Sequence, residues 1–133
     1  ETRKFYMEGL AKAKEEGIVK AVGISCHNWD AMAEAAQNPW CDIILARLNP
    51  FQSHMDGTPE DVNALLGKAR ENGKGIMGMK IFGEGKHVTD EEREHSIHFA
   101  VTESNLPCMS LVLESIAQMY DAIERGIRNV KNS

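Results

Sequence analysis

CDIILAR, residues 41–47, has an apolar centre rich in β-branched side chains and a charge at its end. Three other stretches read the same way: VKAVGIS (19–25), GIMGMKIF (75–82) and CMSLVLE (108–114). Their apolar residues are nearly continuous rather than alternating. That is the pattern of a strand buried on both faces, typical of a parallel sheet.

The segments around these runs read as helices. Residues 2–17 place Tyr6, Leu10 and Ala13 at helical spacing, and Gly17 stops the turn. Residues 29–37 are Ala-rich and end at Asn38-Pro39. Thr58-Pro59-Glu60 is a helix-start signal: a capping Thr, a Pro at the first helical position and then acid. Val62, Leu65, Leu66 and Ala69 follow it, and Asn72-Gly73 closes it. Thr89 opens a further helix with three acids in its first turn. Residues 115–130 form the last, with Ile116, Met119, Tyr120 and Ile123 on one face.

The order is α-βα-βα-βα-βα: five helices and four strands. Strict alternation with short connections predicts parallel strands and right-handed crossovers. Two architectures fit, an open doubly wound sheet and half of an eight-stranded α/β barrel. A whole barrel takes roughly 250 residues, and this chain has 133. It opens on a helix with no strand before it, and on Glu1 rather than Met, which we read as a sign of missing upstream sequence. No G-x-G-x-x-G follows a strand. GKARENGK (67–74) has the wrong spacing for a phosphate loop, and Gly75 stands where such a loop needs Ser or Thr.

Composition narrows the class. Hydrophobic residues make up 42 % of the chain, charged residues 26 %, and the net charge is −5. This is one globular domain over residues 1–133, with no internal boundary. The acidic balance argues against a nucleic-acid partner, and no apolar run approaches the roughly 20 residues of a membrane span. The three cysteines, Cys26, Cys41 and Cys108, are odd in number and widely spaced. They read as buried thiols of a reducing, cytoplasmic compartment rather than disulfides or a metal site.

In a barrel the active site lies at the C-terminal ends of the strands. Polar residues interrupt each apolar run at that end: Ser25-Cys26-His27-Asn28, then Arg47-Leu48-Asn49-Pro50-Phe51, then the 80–86 segment KIFGEGK, then Glu114-Ser115. GISCHN, LARLNPF with MDG after it, GIMGMKIFGEGK and ESIAQ, in that order, resemble the second half of an aldo-keto reductase. The resemblance covers essentially the whole chain. It implies an eight-stranded (β/α)8 TIM barrel, of which this chain is the C-terminal half. It also implies hydride transfer between NADP(H) or NAD(H), the first ahead of the second, and a small carbonyl or alcohol.

The resemblance assigns Ser25 to the nicotinamide carboxamide. It assigns Lys80 and Gly83, with Glu84 and Gly85, to the pyrophosphate, and Ser115 and Gln118 to the adenosine end. Arg47 lies two residues beyond Leu45, where the family commonly has Gln, and would share its polar role. Cys26, Val112 and Ala122 also depart from the family's usual Asn, Gly and Asn. The family's catalytic Tyr, Lys, Asp and His belong to the first half of the barrel, so no catalytic residue is assigned here. Tyr6 and Tyr120 sit on helix faces. The implied partner is an N-terminal half-barrel or a second copy.

Plainer readings stand beside these. Arg47 is equally a buried arginine paired with a carboxylate such as Glu114. Lys80 also reads as a surface lysine, though its place in GIMGMKIF argues against ordinary exposure, and Gly83 and Gly85 as a simple turn. His27 reads as a cap or backbone partner, and His95 and His98 as a solvated helix face. A binding module without catalysis remains the alternative function on the same fold.

Overall fold

Side-chain caps set where the helices begin. Asn28 accepts a hydrogen bond from the Ala31 amide and opens α2 (Trp29–Gln37). Thr58 accepts from Asp61 and opens α3 (Pro59–Glu71), with Pro59 inside the first turn. Thr89 and Glu92 form a reciprocal capping box at α4 (Asp90–His98). A single π-helical turn, Phe99–Glu103, continues α4. The other helices are α1 (Thr2–Glu15) and α5 (Ile116–Asn132). These elements come from a computed structural model that describes residues 2–132.

The sheet has three parallel strands in the order β1 (Gly23–Ser25), β2 (Ile43–Arg47), β3 (Gly75–Met79). Ile24 pairs with Ile44, and Ile44 with Ile76. Ile44, Ala46 and Ile76 pack in one core with Met32, Ala35 and Ala36 of α2 and Val62, Leu66 and Ala69 of α3. Both crossover helices therefore lie on the same face of the sheet. A barrel winds its crossover helices in this way, whereas a complete doubly wound sheet carries helices on both faces.

Two strand expectations need correction. The runs were expected to be buried on both faces, but β2 and β3 are covered on one. Ile43 and Met77, on the other face, are exposed. The expected fourth strand, 108–114, is reduced to one parallel bridge between Met109 and Gly78. Gly78 donates to the Cys108 carbonyl at 2.9 Å, and Ser110 donates to the Gly78 carbonyl at 2.8 Å. The ladder stops there because Lys80 has φ +58° and turns the chain out of the sheet just past Met79. Gly78 itself admits this segment, since a Cβ there would collide with Leu106. Without a strand around it, Cys108 is exposed, whereas Cys26 and Cys41 are buried as expected. Burial pushes the Cys26 thiol up to about 11.

A smaller core gathers Ile81, Ile97 and Ala100 with Phe82, Leu106, Met109 and Leu111. Helices α4 and α5 are joined through buried Arg125, which pairs with Asp90, with Glu94 at 2.8 Å and with Asp121 at 2.9 Å. At the other end, α1 is tethered by Trp40 Nε1 to the Met7 carbonyl at 3.1 Å and by Lys14 to Asp42 at 2.6 Å. Among the described residues no helix is long and apolar enough to cross a membrane.

Candidate functional site

Backbone strain concentrates at the C-terminal ends of β2 and β3. Gln52, His54, Lys80 and Glu84 are the non-glycine residues with positive φ among those described, and all lie in the loops after these strands. Each such residue costs on the order of 1–3 kcal/mol, so the surrounding bonds must hold it. Asn49 supplies several of them. It is fully buried; its Nδ2 donates to the carbonyls of Ser53 and Lys80 at 2.9 and 3.1 Å, and its Oδ1 accepts from the Phe51 and Ser53 amides. One side chain thus fastens the β2 loop to the β3 loop.

The charged residues here are paired. Arg47 forms an ion pair with Asp56, not with Glu114 as first considered, because the 50–57 loop folds back over the end of β2. Lys80 pairs with Glu84, and His54 Nε2 lies 3.5 Å from the same carboxylate. The Lys80 hydrogen bond holds the Glu84 carboxyl below the usual carboxylate range. Among the described residues no three His, Cys, Asp or Glu side chains gather as a metal site.

Beside the uncovered sheet face lies a cleft of about 870 Å³, within the usual range for small-molecule sites. Leu45 and Met79 line it from the strands; Lys80, Glu84 and Gly85 from the β3 loop; and Glu114, Gln118 and Asp121 from the start of α5 and the segment before it. Arg93 of α4 also reaches it, with a buried Nε that has no hydrogen-bond partner and lies 3.5 Å from Asp121. The lining thus carries two cations against three carboxylates, Glu84, Glu114 and Asp121.

The expected site residues divide into groups. Lys80 and Gln118 line the cleft. Ser25 and Arg47 share the uncovered sheet face, by the register Ser25↔Leu45 and the two-residue period. Ser25 Oγ lies 3.9 Å from Met79 Sδ. Gly83 is buried behind the cleft with φ +57°. Ser115 caps α5, accepting from the Gln118 amide at 3.2 Å, and the Gln118 side chain accepts from the Glu114 amide at 2.7 Å. His27 is exposed, and Asn28 rather than His27 does the capping.

Sequence reasoning gave no role to Asn49, Asp56 or Arg93, nor to a hydrogen-bonded relay of Ser53, His87 and Glu92. Ser53 Oγ lies 2.6 Å from His87 Nε2, and His87 Nδ1 lies 3.2 Å from Glu92 Oε1. Phe51 stacks on His87 with ring centroids 3.9 Å apart. Asn49 carried a usable signal, since Asn-Pro after a strand marks a turn that its side chain can brace. The relay carried none, because its members come from two loops and a helix.

The sequence model of the Aldo/keto reductase family matches residues 4–128. No curated protein and no solved structure matches the chain. That family has a TIM-barrel-type fold, oxidoreductase chemistry and general use of NAD(P)H. Parallel strands wound with both crossover helices on one face, and a cleft at their C-terminal ends, agree with the match, and the chain belongs to the aldo/keto reductase family.

Proposed function

We propose that this chain is the cofactor-binding half of an NAD(P)H-dependent oxidoreductase that reduces a carbonyl or oxidises an alcohol, with NADP(H) favoured. The observation that carries this reading is the cleft itself. It lies where strand ends converge, and it brings Lys80 together with Gln118 from opposite ends of the segment. The residues fit a phosphate-bearing ligand on one condition. Lys80 must exchange Glu84 for phosphate, and Arg93, which lines the cleft in an ion pair with Asp121, is a second cation that a phosphate could draw on. Ser25 and Arg47 stand on the sheet face where a nicotinamide would lie, and Gly85, which lines the cleft, lets the backbone approach the pyrophosphate, while Gly83 is buried against His87 and Ser53. Ser115 and Gln118 keep donor capacity for the adenosine end while bracing α5. The bound cofactor supplies the hydride.

The uncovered sheet face supports a partner role for an N-terminal half-barrel or a second copy. A non-catalytic binding module is the second reading. It is favoured by the exposure of Tyr6 and Tyr120, the two phenols of the chain, on helices α1 and α5. Neither lines the cleft as a proton donor.

NADPH titration of the intact protein, followed by fluorescence, tests the cofactor reading. Lys80→Met should weaken binding about tenfold, and Glu84→Gln, which frees Lys80, should tighten it several-fold. NADH should bind more weakly than NADPH. Equal affinities in all three proteins would remove Lys80 from the site. Carbonyl turnover by the intact protein would then separate enzyme from module.

A further inference from the structure

We propose that Ser53, His87 and Glu92 form a nucleophile–base–acid relay that hydrolyses small activated carboxylic esters through an acyl group on Ser53. This activity would be separate from nucleotide-dependent oxidoreduction and does not rest on it, since neither Ser53 nor His87 lines the cleft.

The distances fit the roles. The Glu92 carboxylate can only accept, so the proton between it and His87 sits on Nδ1, at 3.2 Å. Nε2 is then the lone-pair nitrogen, and it faces the Ser53 hydroxyl at 2.6 Å. That is the tautomer a general base needs. The capping box orients the acid: Glu92 Oε2 takes the Thr89 amide and hydroxyl at 3.0 and 2.9 Å, which leaves Oε1 for His87. These bonds, the Thr89 amide first, bring the Glu92 carboxyl down to about 2, so it stays ionised. The imidazole plane is fixed by the stacked Phe51 ring, which His95 meets edge-on.

The backbone presents the serine. Gln52 and His54, on either side of it, are both left-handed, at φ +58° and +54°. The Ser53 amide is held by Asn49 at 3.0 Å, while among the described residues the next amide, that of His54, has no acceptor and is free to donate to a developing oxyanion. Gly83 keeps the pair in reach. A Cβ on it would lie 2.6 Å from His87 Cδ2 and 2.9 Å from Ser53 Cβ, forcing the two apart.

The reaction balances with water as co-reactant. Ser53 Oγ attacks the ester carbonyl carbon as its proton passes to His87 Nε2. The bond to the leaving oxygen breaks, and His87 returns the proton to the departing alcohol. Water, deprotonated by His87, attacks the acyl-serine. The carboxylic acid leaves and Ser53 recovers its proton.

The intact protein would be treated with a biotinylated fluorophosphonate, which joins phosphorus to a nucleophilic serine oxygen as fluoride departs. It would be assayed in parallel with 4-nitrophenyl acetate. We expect one adduct, mapped by peptide mass spectrometry to Ser53. S53A should abolish it and lower ester hydrolysis at least about 100-fold, and H87Q should do nearly as much. NADPH affinity of S53A, measured alongside, reports on the cofactor reading independently. An unlabelled wild-type protein, an adduct on another residue, or hydrolysis unchanged in S53A would overturn the proposal and leave the relay as a fastening between loops.

Discussion

At the scale of single residues, the site depends on groups whose work is to hold others. Asn49 is the clearest. Its amide nitrogen faces two carbonyl oxygens and its amide oxygen faces two N–H groups, and the residue itself is fully buried. Asn49→Asp would set a carboxylate against the carbonyls of Ser53 and Lys80. Unmade buried hydrogen bonds cost about 1–3 kcal/mol each, more for a charge. We expect a stability loss of roughly 3 kcal/mol or more by urea denaturation, with weaker NADPH binding as Lys80 is released. A loss within about 1 kcal/mol would show that the two loops are held by other contacts. The turn at Asn49-Pro50 was legible in the sequence, but its reach to Lys80, 31 positions on, was not. The same holds for Arg47. Its need for a carboxylate was readable; that Asp56 would meet it depended on how the 50–57 loop folds back.

At the scale of elements, helices were read more faithfully than strands because capping is a local code. Thr58-Pro59 and Thr89 announced α3 and α4, and both cap as their spacing requires. The run at 108–114 had the right composition for a strand. It failed because strand formation needs a neighbour, and β3 ends at Met79 where Lys80 turns away. The α4 cap gives a prediction with a definite sign. The Glu92 carboxyl lies at about 2 against an ordinary 4.5, through the Thr89 amide, the Thr89 hydroxyl and His87 in that order. A carboxyl lowered on folding contributes stability that is complete above its unfolded value and is lost as pH falls through its folded one. Protection of the first-turn amides of α4 should therefore hold above about pH 4.5 and fade as pH approaches 2. Thr89→Ala removes the hydroxyl, costs about 1 kcal/mol, and should move the Glu92 titration upward toward its ordinary value. An unchanged Glu92 titration by carboxyl-carbon NMR in this variant would mean that the capping box is not formed in solution.

At the scale of the whole molecule, the apolar residues outnumber the places available to bury them. One face of the sheet holds Ile43 and Met77 exposed beside Leu45 and Met79. Helix α5 turns Ile116, Met119, Tyr120, Ile123 and Ile127 outward, with Ile116 71 % and Tyr120 60 % accessible. Their spacing places them on one side of the helix. The continuous apolar pattern of the strands implied two buried faces, and the described residues provide cover for one. That is the physical reason why the barrel class was legible but the closed barrel is not formed by this segment. Covering apolar surface stabilises by about 25 cal/mol per Å², so burial of a few hundred Å² would contribute on the order of 10 kcal/mol, comparable with the stability of a domain. Contiguous exposed apolar patches favour association. The 133-residue chain on its own should therefore sediment as a concentration-dependent species heavier than its 14.8 kDa monomer. Replacing Tyr120 and Ile123 by Glu should shift it toward monomer without loss of helix content, because both side chains already face water in the described fold. Replacing Met77 by Glu should do the same if the sheet face, rather than α5, is the surface that associates. A monomer at every concentration, with cooperative melting, would show that these apolar faces tolerate water and that no partner is needed to cover them.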